Sequence, residues 1–533
     1  MRLKEKNIFI CILLFIVCAL SVDDIRLEQS EEWFQMNVIY RLNKLNAQEQ
    51  RVLPPKADDS MTADAVFSNY QKKIRELVRK CENNQMPLEA EITRKCLFNS
   101  PSLSLSVPLI PHAQIPKTLP EDSSEKQRRW FKELYELRGQ YSESMYQVAL
   151  ELSKKRKGYD VVSCVLTALF INPDHQKSRE FLGYSLFNGK WLTKWEKTQV
   201  EKGLVKTQSF GWIPKEHVQE YKNGKRFYRN QWYSSEEVDQ LIKKSNTGWQ
   251  LETEHFSVLS RISLERSVEI CDFLELYYQV WSRLFYRFVA TESQWNARIF
   301  SSRDLVSKQH KIIIYRSRDE YLRELSKYDA NSVYSIGGYF PSLHCLFIYD
   351  TDENDRAELF ALLSHEATHQ LFEECNTAVS SRTYVEHNKR ATIANFWPIE
   401  GIAVYSESFR INTSRSMASL GTAPDNPRLL AAQQSLFTKE DYIPLREYTR
   451  LSRTEFQQRR DLVHLYSQSA GLTSFFMHAK NGLYRDAFIR YLHSIYQGTD
   501  KPDSLETLTG KTFEELDQEY RIFMKSVFHE TIQ

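Results

Sequence analysis

Residues 365–369 read His-Glu-Ala-Thr-His, and residues 397–405 read Trp-Pro-Ile-Glu-Gly-Ile-Ala-Val-Tyr. Residues four positions apart on a helix project from the same face, so His365 and His369 can hold one zinc ion between them. Glu366 lies beside them, placed to handle a proton from a zinc-bound water. The first stretch therefore predicts a catalytic zinc site on a helix.

A catalytic zinc needs a third protein ligand, because zinc prefers four ligands and leaves one position to water. Glu400 is a good candidate, at the start of a second predicted helix. The segment Asp355–Glu374 is predicted to be helical because its Leu and Phe residues form an apolar stripe and it contains no Pro or Gly. The alternative is a core or surface histidine pair without metal.

These two motifs resemble those of the gluzincin (peptidase MA-like) metallopeptidases. The string Trp397–Ala403 looks like the W-x-x-E-G-x-A signature that carries the third ligand in the M1 aminopeptidase group. The Trp-rich region before the zinc motif, with Gly-Lys-Trp-Leu-Thr and Gly-Trp-Ile-Pro, resembles an uncharacterised family of exported bacterial proteins, the DUF1570 type. The metallopeptidase resemblance covers about residues 250–533, and the Trp-rich part about 180–245.

The resemblance implies further roles. It makes Glu400 the third zinc ligand and Tyr466 a hydrogen-bond donor to the transition-state oxyanion. It also implies that the predicted strand His344–Tyr349 is an edge strand that pairs with the substrate backbone. Tyr466 lies in Tyr-Ser-Gln-Ser rather than a Y-x-K-G sequence, so a core tyrosine stays open, with Tyr384 and Tyr405 as other donors.

The predicted activity is hydrolysis of peptide bonds by Glu366-assisted attack of a zinc-bound water. The G-A-M-E-N motif of aminopeptidases does not occur, so no N-terminal amine clamp is implied. The alternative is a non-catalytic, zinc-containing cell-envelope protein that binds a protein or glycan partner. A fourth protein ligand, for which His387 is the nearest candidate, would favour that alternative. Glu407 is either a partner of a zinc ligand or a solvated carboxylate.

Composition is that of a soluble globular protein of two or three domains. The chain has 533 residues, 41% hydrophobic and 26% charged, and its 71 basic residues balance 69 acidic ones. Nothing in this balance indicates a nucleic-acid partner. The resemblance to metallopeptidases implies a peptide or protein substrate. The sequence does not indicate an oligomeric state.

The chain begins like a secretory signal peptide. A basic start precedes an apolar run, Ile8–Leu20, and a small-residue cleavage site ending at Ser21. We therefore expect a secreted or periplasmic protein with no stable membrane span after cleavage. Cys81 and Cys96 are the expected disulfide pair, because they flank a predicted helix-turn-helix in an exported chain.

The predicted fold class is α+β, mostly helical: a zincin-like metallopeptidase domain preceded by a helical, TPR-like region and a small Trp-rich α+β module. In the Trp-rich module, Trp191 and Trp232 mark two copies of a weak repeat. Their side chains are either core anchors or an aromatic platform for a ligand. The predicted segments are a signal peptide (1–21), an N-terminal helical region (22–98), a Pro/Ser-rich linker (99–127), a TPR-like helical hairpin (128–180), a Trp-rich repeat module (181–247) and the metallopeptidase domain (248–533).

Overall fold

The computed structural model is mostly helical, with a five-stranded mixed sheet and several smaller β elements, which confirms the α+β, mostly helical class. The predicted signal peptide lies outside the described residues. In the part of the chain that the structure describes, no helix is both long and apolar enough to cross a membrane. The described residues are 62–94, 96–97, 104–110, 119–245, 247–300, 309–327, 337–350, 355–375, 394–412, 417–421, 426–439 and 441–529.

The N-terminal part is a group of helices around a core of its own. Ser124 and Gln127 form a capping box that starts the longest of these helices, and its pairing with the next one forms the predicted helical hairpin. No disulfide joins Cys81 to Cys96, which corrects the expected pairing: both are buried as thiols in this core. The helices are Ala63–Asn83, Pro87–Arg94, Glu125–Lys154, Gly158–Ile171 and Gln176–Phe181.

The segment predicted as a linker contains a strand. Ser104–Pro108 (β1) pairs antiparallel with Met417–Gly421 (β14), which also pairs with Arg410–Ile411 (β13). The alternation Ser-Leu-Ser-Val has the period of a strand, and it places Leu105 in the core of the C-terminal part. The prolines around this run concealed the pattern from the sequence analysis.

The Trp-rich module consists of three copies of one unit rather than the two predicted. Each unit is a β-hairpin followed by a helical segment, and each starts after a glycine with positive φ: Gly183 at 95°, Gly203 at 82° and Gly224 at 86°. The hairpins are Tyr184–Phe187 with Lys190–Thr193 (β2, β3), Leu204–Thr207 with Gly211–Pro214 (β4, β5), and Lys225–Tyr228 with Gln231–Ser234 (β6, β7). The helices that follow are Lys194–Glu201, Val218–Lys222 and Ser235–Ser245.

The three tryptophans occupy the same place, the second residue of the second strand, but differ in exposure. Trp191 is a core anchor at 2% exposed, Trp212 is half-buried, and Trp232 is 38% exposed. The middle unit was missed because Pro214 and a short 3₁₀ turn stand where the other units have a Thr or Ser helix cap. Trp191 is therefore a core anchor, one of the two roles considered for these tryptophans. Trp232 instead lies at the surface among His217, Tyr221 and Phe227.

A mixed sheet organises the C-terminal part, with strand order β11-β12-β10-β9-β8. The three inner strands, Phe256–Ser260 (β9), His310–Tyr315 (β10) and Cys345–Tyr349 (β12), are parallel to one another. The two edge strands, Trp249–Glu252 (β8) and Gly337–Phe340 (β11), are antiparallel to their neighbours. The predicted strand His344–Tyr349 was expected to be an edge strand. The structure places it inside the sheet as β12, because the Gly-rich segment before it, β11, forms the edge.

Three helices beside this sheet carry the candidate site. We call them the histidine helix (Arg356–Glu374), the glutamate helix (Trp397–Ser406) and the tyrosine helix (Leu462–Gly482). In the tyrosine helix, regular geometry ends before Ala479. The other helices are Leu264–Leu284, Tyr286–Val289, Glu292–Arg298, Arg318–Leu325, Pro427–Gln434, Leu445–Tyr448, Arg453–Gln458, Arg485–Tyr496, Ser504–Thr509 and Phe513–His529; a π-helical turn spans Ser435–Lys439.

Candidate metal centre

The histidine helix places both histidines at one edge of the core. The side chain of Asp355 caps its first turn by accepting a hydrogen bond from the backbone N–H of Ala357 at 2.7 Å. Leu363 and Leu371 are fully buried and fix the rotation of the helix about its axis. That rotation leaves His365 and His369 half-buried on an adjacent face, where both can meet the glutamate helix.

Three ligand atoms converge between the helices. The Nε2 atoms of His365 and His369 are 3.2 Å apart. Oε2 of Glu400 lies 3.8 Å from the first and 3.7 Å from the second. Among the described residues, these three side chains form the one group of His, Cys, Asp or Glu that could hold a metal ion.

The triangle has the size that zinc requires. A circle through the three atoms has a radius of about 2.1 Å, close to the zinc–nitrogen and zinc–oxygen bond lengths of about 2.0–2.2 Å. Two neutral imidazoles and one carboxylate are also the ligand types that zinc takes in catalytic sites. Both the dimensions and the chemistry of the three residues therefore fit this metal.

Charge at the site also favours a cation. Burial opposes ionisation of Glu400, yet the two histidines lower the pKa of its carboxyl to about 2. Burial opposes protonation of His365, but the carboxylates of Glu407, Glu366 and Glu400 raise its pKa to about 9. The site thus concentrates negative charge around two imidazoles, and a divalent cation would neutralise it.

Glu400 reaches the histidines because the glutamate helix packs very closely on the tyrosine helix. Pro398 occupies the first turn of the glutamate helix, where no N–H donor is needed, and Glu400 itself is only 7% exposed. At Gly401, an added Cβ would lie 2.4 Å from Oγ1 of Thr473 and 3.0 Å from the carbonyl oxygen of Ser469. Glycine is therefore required for the two backbones to approach this closely.

Glu407 supports one of the histidines from behind. Its Oε1 lies 2.9 Å from Nδ1 of His365, and Arg428 contacts the same carboxylate through Nε at 3.3 Å and Nη2 at 3.4 Å. A carboxylate on Nδ1 leaves Nε2 of His365 as the lone pair that faces the ligand triangle. Of the two interpretations of Glu407, the structure thus supports the partner of a ligand.

Glu366 points toward the edge strand β11. Its Oε2 accepts a hydrogen bond from the backbone N–H of Tyr339 at 2.9 Å. Gly337 allows this approach, because a Cβ there would already be 3.2 Å from Cδ2 of Leu362 on the histidine helix. The carboxylate next to the ligand triangle is therefore held by the strand that borders the sheet.

Tyr466 is also at the site. Burial and the nearby carboxylates of Glu400 and Glu366 hold the pKa of its phenol well above the usual value, and the guanidinium of Arg428 lies 5.9 Å from the centre of its ring. Tyr405 is not available as an alternative donor, because its buried hydroxyl bonds to His478 and to the carbonyl oxygen of Leu420.

The two remaining candidates, Tyr384 and His387, lie outside the described residues. Sequence reasoning missed Arg428 and the backbone amide of Tyr339, since neither belongs to a motif and both reach the site only through the fold.

Comparison with known proteins adds no assignment. No protein-family model matches this chain. A search of curated proteins also gave no match. The resemblance to gluzincins therefore rests on the two motifs that carry it.

Replacing Glu407 with glutamine should weaken zinc binding without unfolding the protein. The amide removes the charge that orients His365, and loss of such a partner typically lowers metal affinity about 10–100-fold. Competition with a chromogenic chelator measures the affinity. Glu447→Gln, an exposed glutamate in the same part of the chain, is the control and should bind zinc like the wild type.

Alanine should have opposite effects at two helical glycines. At Gly401 it would push the glutamate and tyrosine helices apart, which we expect to cost about 1–3 kcal/mol of stability and to weaken zinc binding. At Gly139 a Cβ would meet nothing within 4 Å, so alanine there should stabilise by about 0.5–1 kcal/mol. Urea unfolding compares the two variants. Equal effects at both positions would contradict the close helix contact at Gly401.

Proposed function

We propose that this protein is an exported zinc-dependent metallopeptidase of the gluzincin (peptidase MA-like) type, resembling the DUF1570-type bacterial family. The observation that carries the proposal is the triangle of His365, His369 and Glu400, with sides of 3.2, 3.7 and 3.8 Å. Glu366 follows His365 directly in the histidine helix, and Tyr466 comes to the same site from another helix. This combination of three ligands, a base and a donor supports hydrolysis.

His365, His369 and Glu400 would hold the metal, and Glu407 would orient His365. When bound, zinc would supply Lewis acidity to a water molecule and to the carbonyl group of the scissile bond. Glu366 would take a proton from the attacking water and return it to the leaving amine. The bond from Tyr339 to its Oε2 sets the direction of the carboxylate.

Tyr466 would donate a hydrogen bond to the oxyanion that develops as the carbonyl is attacked. The ring of Tyr466 lies beside Arg428, and Arg428 also contacts Glu407, which would orient His365. One guanidinium therefore lies next to both Tyr466 and Glu407. An extended peptide would lie along β11, because this is the edge strand nearest to Glu366. The substrate strand is therefore assigned to β11 and not to the internal strand β12.

A non-catalytic zinc protein would differ from a peptidase in the number of protein ligands on the zinc. A structural zinc site is closed by four protein ligands, whereas a catalytic site keeps a position open. The described residues supply three ligands at this triangle, with a carboxylate next to it. This arrangement supports the catalytic proposal, and the exposed Trp232 is compatible with a partner surface in either case.

Glu366→Gln should retain zinc but lose hydrolysis, because an amide cannot accept the proton. Cleavage of a broad peptide library, followed by mass spectrometry, compares this variant with the wild type, and elemental analysis confirms its zinc content. His369→Ala should lose both zinc and cleavage. Equal cleavage by Glu366→Gln and wild type would refute Glu366 as the base, and a zinc-loaded wild type that cleaves nothing would support the binding protein.

Tyr466→Phe should lower kcat by about 10²–10³-fold with little change in KM, because the hydroxyl acts mainly in the transition state. Zinc content should be unchanged. Tyr484→Phe is a matched control, since it also removes a phenol hydroxyl, one that donates to Glu519 away from the site. Wild-type turnover in Tyr466→Phe would leave this residue a packing role only.

A further inference from the structure

A second group of reactive side chains lies at the C-terminal end of the histidine helix. Cys375 caps the C-terminus of this helix, and its Sγ lies 3.6 Å from Nε2 of His310, the first residue of β10. Nδ1 of the same ring lies 2.8 Å from Oε2 of Glu374. A thiol, an imidazole and a carboxylate are thus arranged in a row.

The arrangement fixes which nitrogen carries the proton. A carboxylate can only accept, so Nδ1 of His310 donates to Glu374 and Nε2 is left as the acceptor for the Cys375 thiol. The side chains of His310 and Glu374 are each 1% exposed, and Gln370 donates a further hydrogen bond to Glu374 at 3.3 Å. The base and the group that orients it are therefore rigid, whereas the thiol is half-buried.

The other described cysteines have a different environment. Cys81, Cys96, Cys164, Cys271 and Cys345 are all buried. Burial raises the pKa of Cys81 to about 11 and that of Cys345 to about 12, and it raises the pKa of Cys164 and Cys271 further still. Such thiols are inert, so they serve as internal controls for Cys375.

We propose that Cys375 is a nucleophilic thiol, activated by His310 and Glu374, that forms mixed disulfides with small-molecule disulfides. The Cys375 sulfur attacks one sulfur of the disulfide, the S–S bond breaks, and the other half leaves as a thiolate. His310 takes the thiol proton through Nε2 and passes it to that thiolate, so the exchange consumes no further oxidant. This modification site is separate from the metal centre, since Cys375 follows His369 by six positions, a rise of about 9 Å along the helix.

The contacts of the imidazole assign the roles further. Nδ1 of His310 is held by the carboxylate of Glu374, and Nε2 faces the thiol of Cys375. The groups around the thiol include His310 and, from the helix Leu264–Leu284, Tyr278. His310 is therefore the base, and Glu374 is a positioning residue that acts through it.

The experiment is reaction of the zinc-loaded full chain with 4,4′-dithiodipyridine at pH 7, with the modified cysteine assigned by peptide mass. We expect one fast equivalent at Cys375, absent in Cys375→Ser and retained in the matched control Cys345→Ser. His310→Gln should slow this phase by about 10²-fold, the usual contribution of a positioned base. Glu374→Gln, which preserves size and can still accept from Nδ1, should slow it less.

A pH series separates activation from a structural role. In His310→Gln, or in Glu374→Gln if the first variant does not fold, the rate should rise about tenfold per pH unit from pH 6 to 8, as for an ordinary thiol. The wild-type rate should rise much less steeply. Ordinary-thiol behaviour in the wild type, a fast phase on another cysteine, or an unchanged rate in both variants would overturn the proposal.

Discussion

Glu400 lies within 4 Å of both histidines because the helix that carries it packs closely against the tyrosine helix at Gly401. A side chain at this position would collide with Oγ1 of Thr473 and crowd the carbonyl oxygen of Ser469, so the two helices would have to move apart. The ligand triangle tolerates little displacement, since zinc bonds vary by only a few tenths of an ångström. The tyrosine helix also carries Tyr466, so Gly401 lies at the contact between the helices of Glu400 and Tyr466.

The sheet supplies the other half of the site. The histidine helix begins soon after β12, and β11 lies against it through Gly337, so the amide of Tyr339 meets Glu366. The inner strands are buried and parallel, as expected for a sheet covered by helices, whereas β11 is an antiparallel edge. β11 is therefore the strand of this sheet that contacts Glu366.

Two histidines at the histidine helix are oriented in the same way. In the middle of the helix, Glu407 holds Nδ1 of His365, and Nε2 faces the proposed metal position; at the C-terminal end, Glu374 holds Nδ1 of His310, and Nε2 faces the thiol of Cys375. In both, the carboxylate decides which nitrogen is the acceptor. What differs is the group that faces Nε2: two further ligand atoms in the first case and one sulfur in the second.

The sequence by itself determined the elements and the residues that carry the chemistry. Helical periodicity predicted the histidine helix almost to its ends, and the spacing of His365 and His369 put both on one face. These are local properties, set by neighbours within one or two turns. Only the tertiary structure decided that Ser104–Pro108 is a strand, that β11 rather than β12 forms the edge, and that Arg428 borders the site. Pairing, helix approach and ion-pair partners depend on residues far apart in the chain, and no local pattern records them.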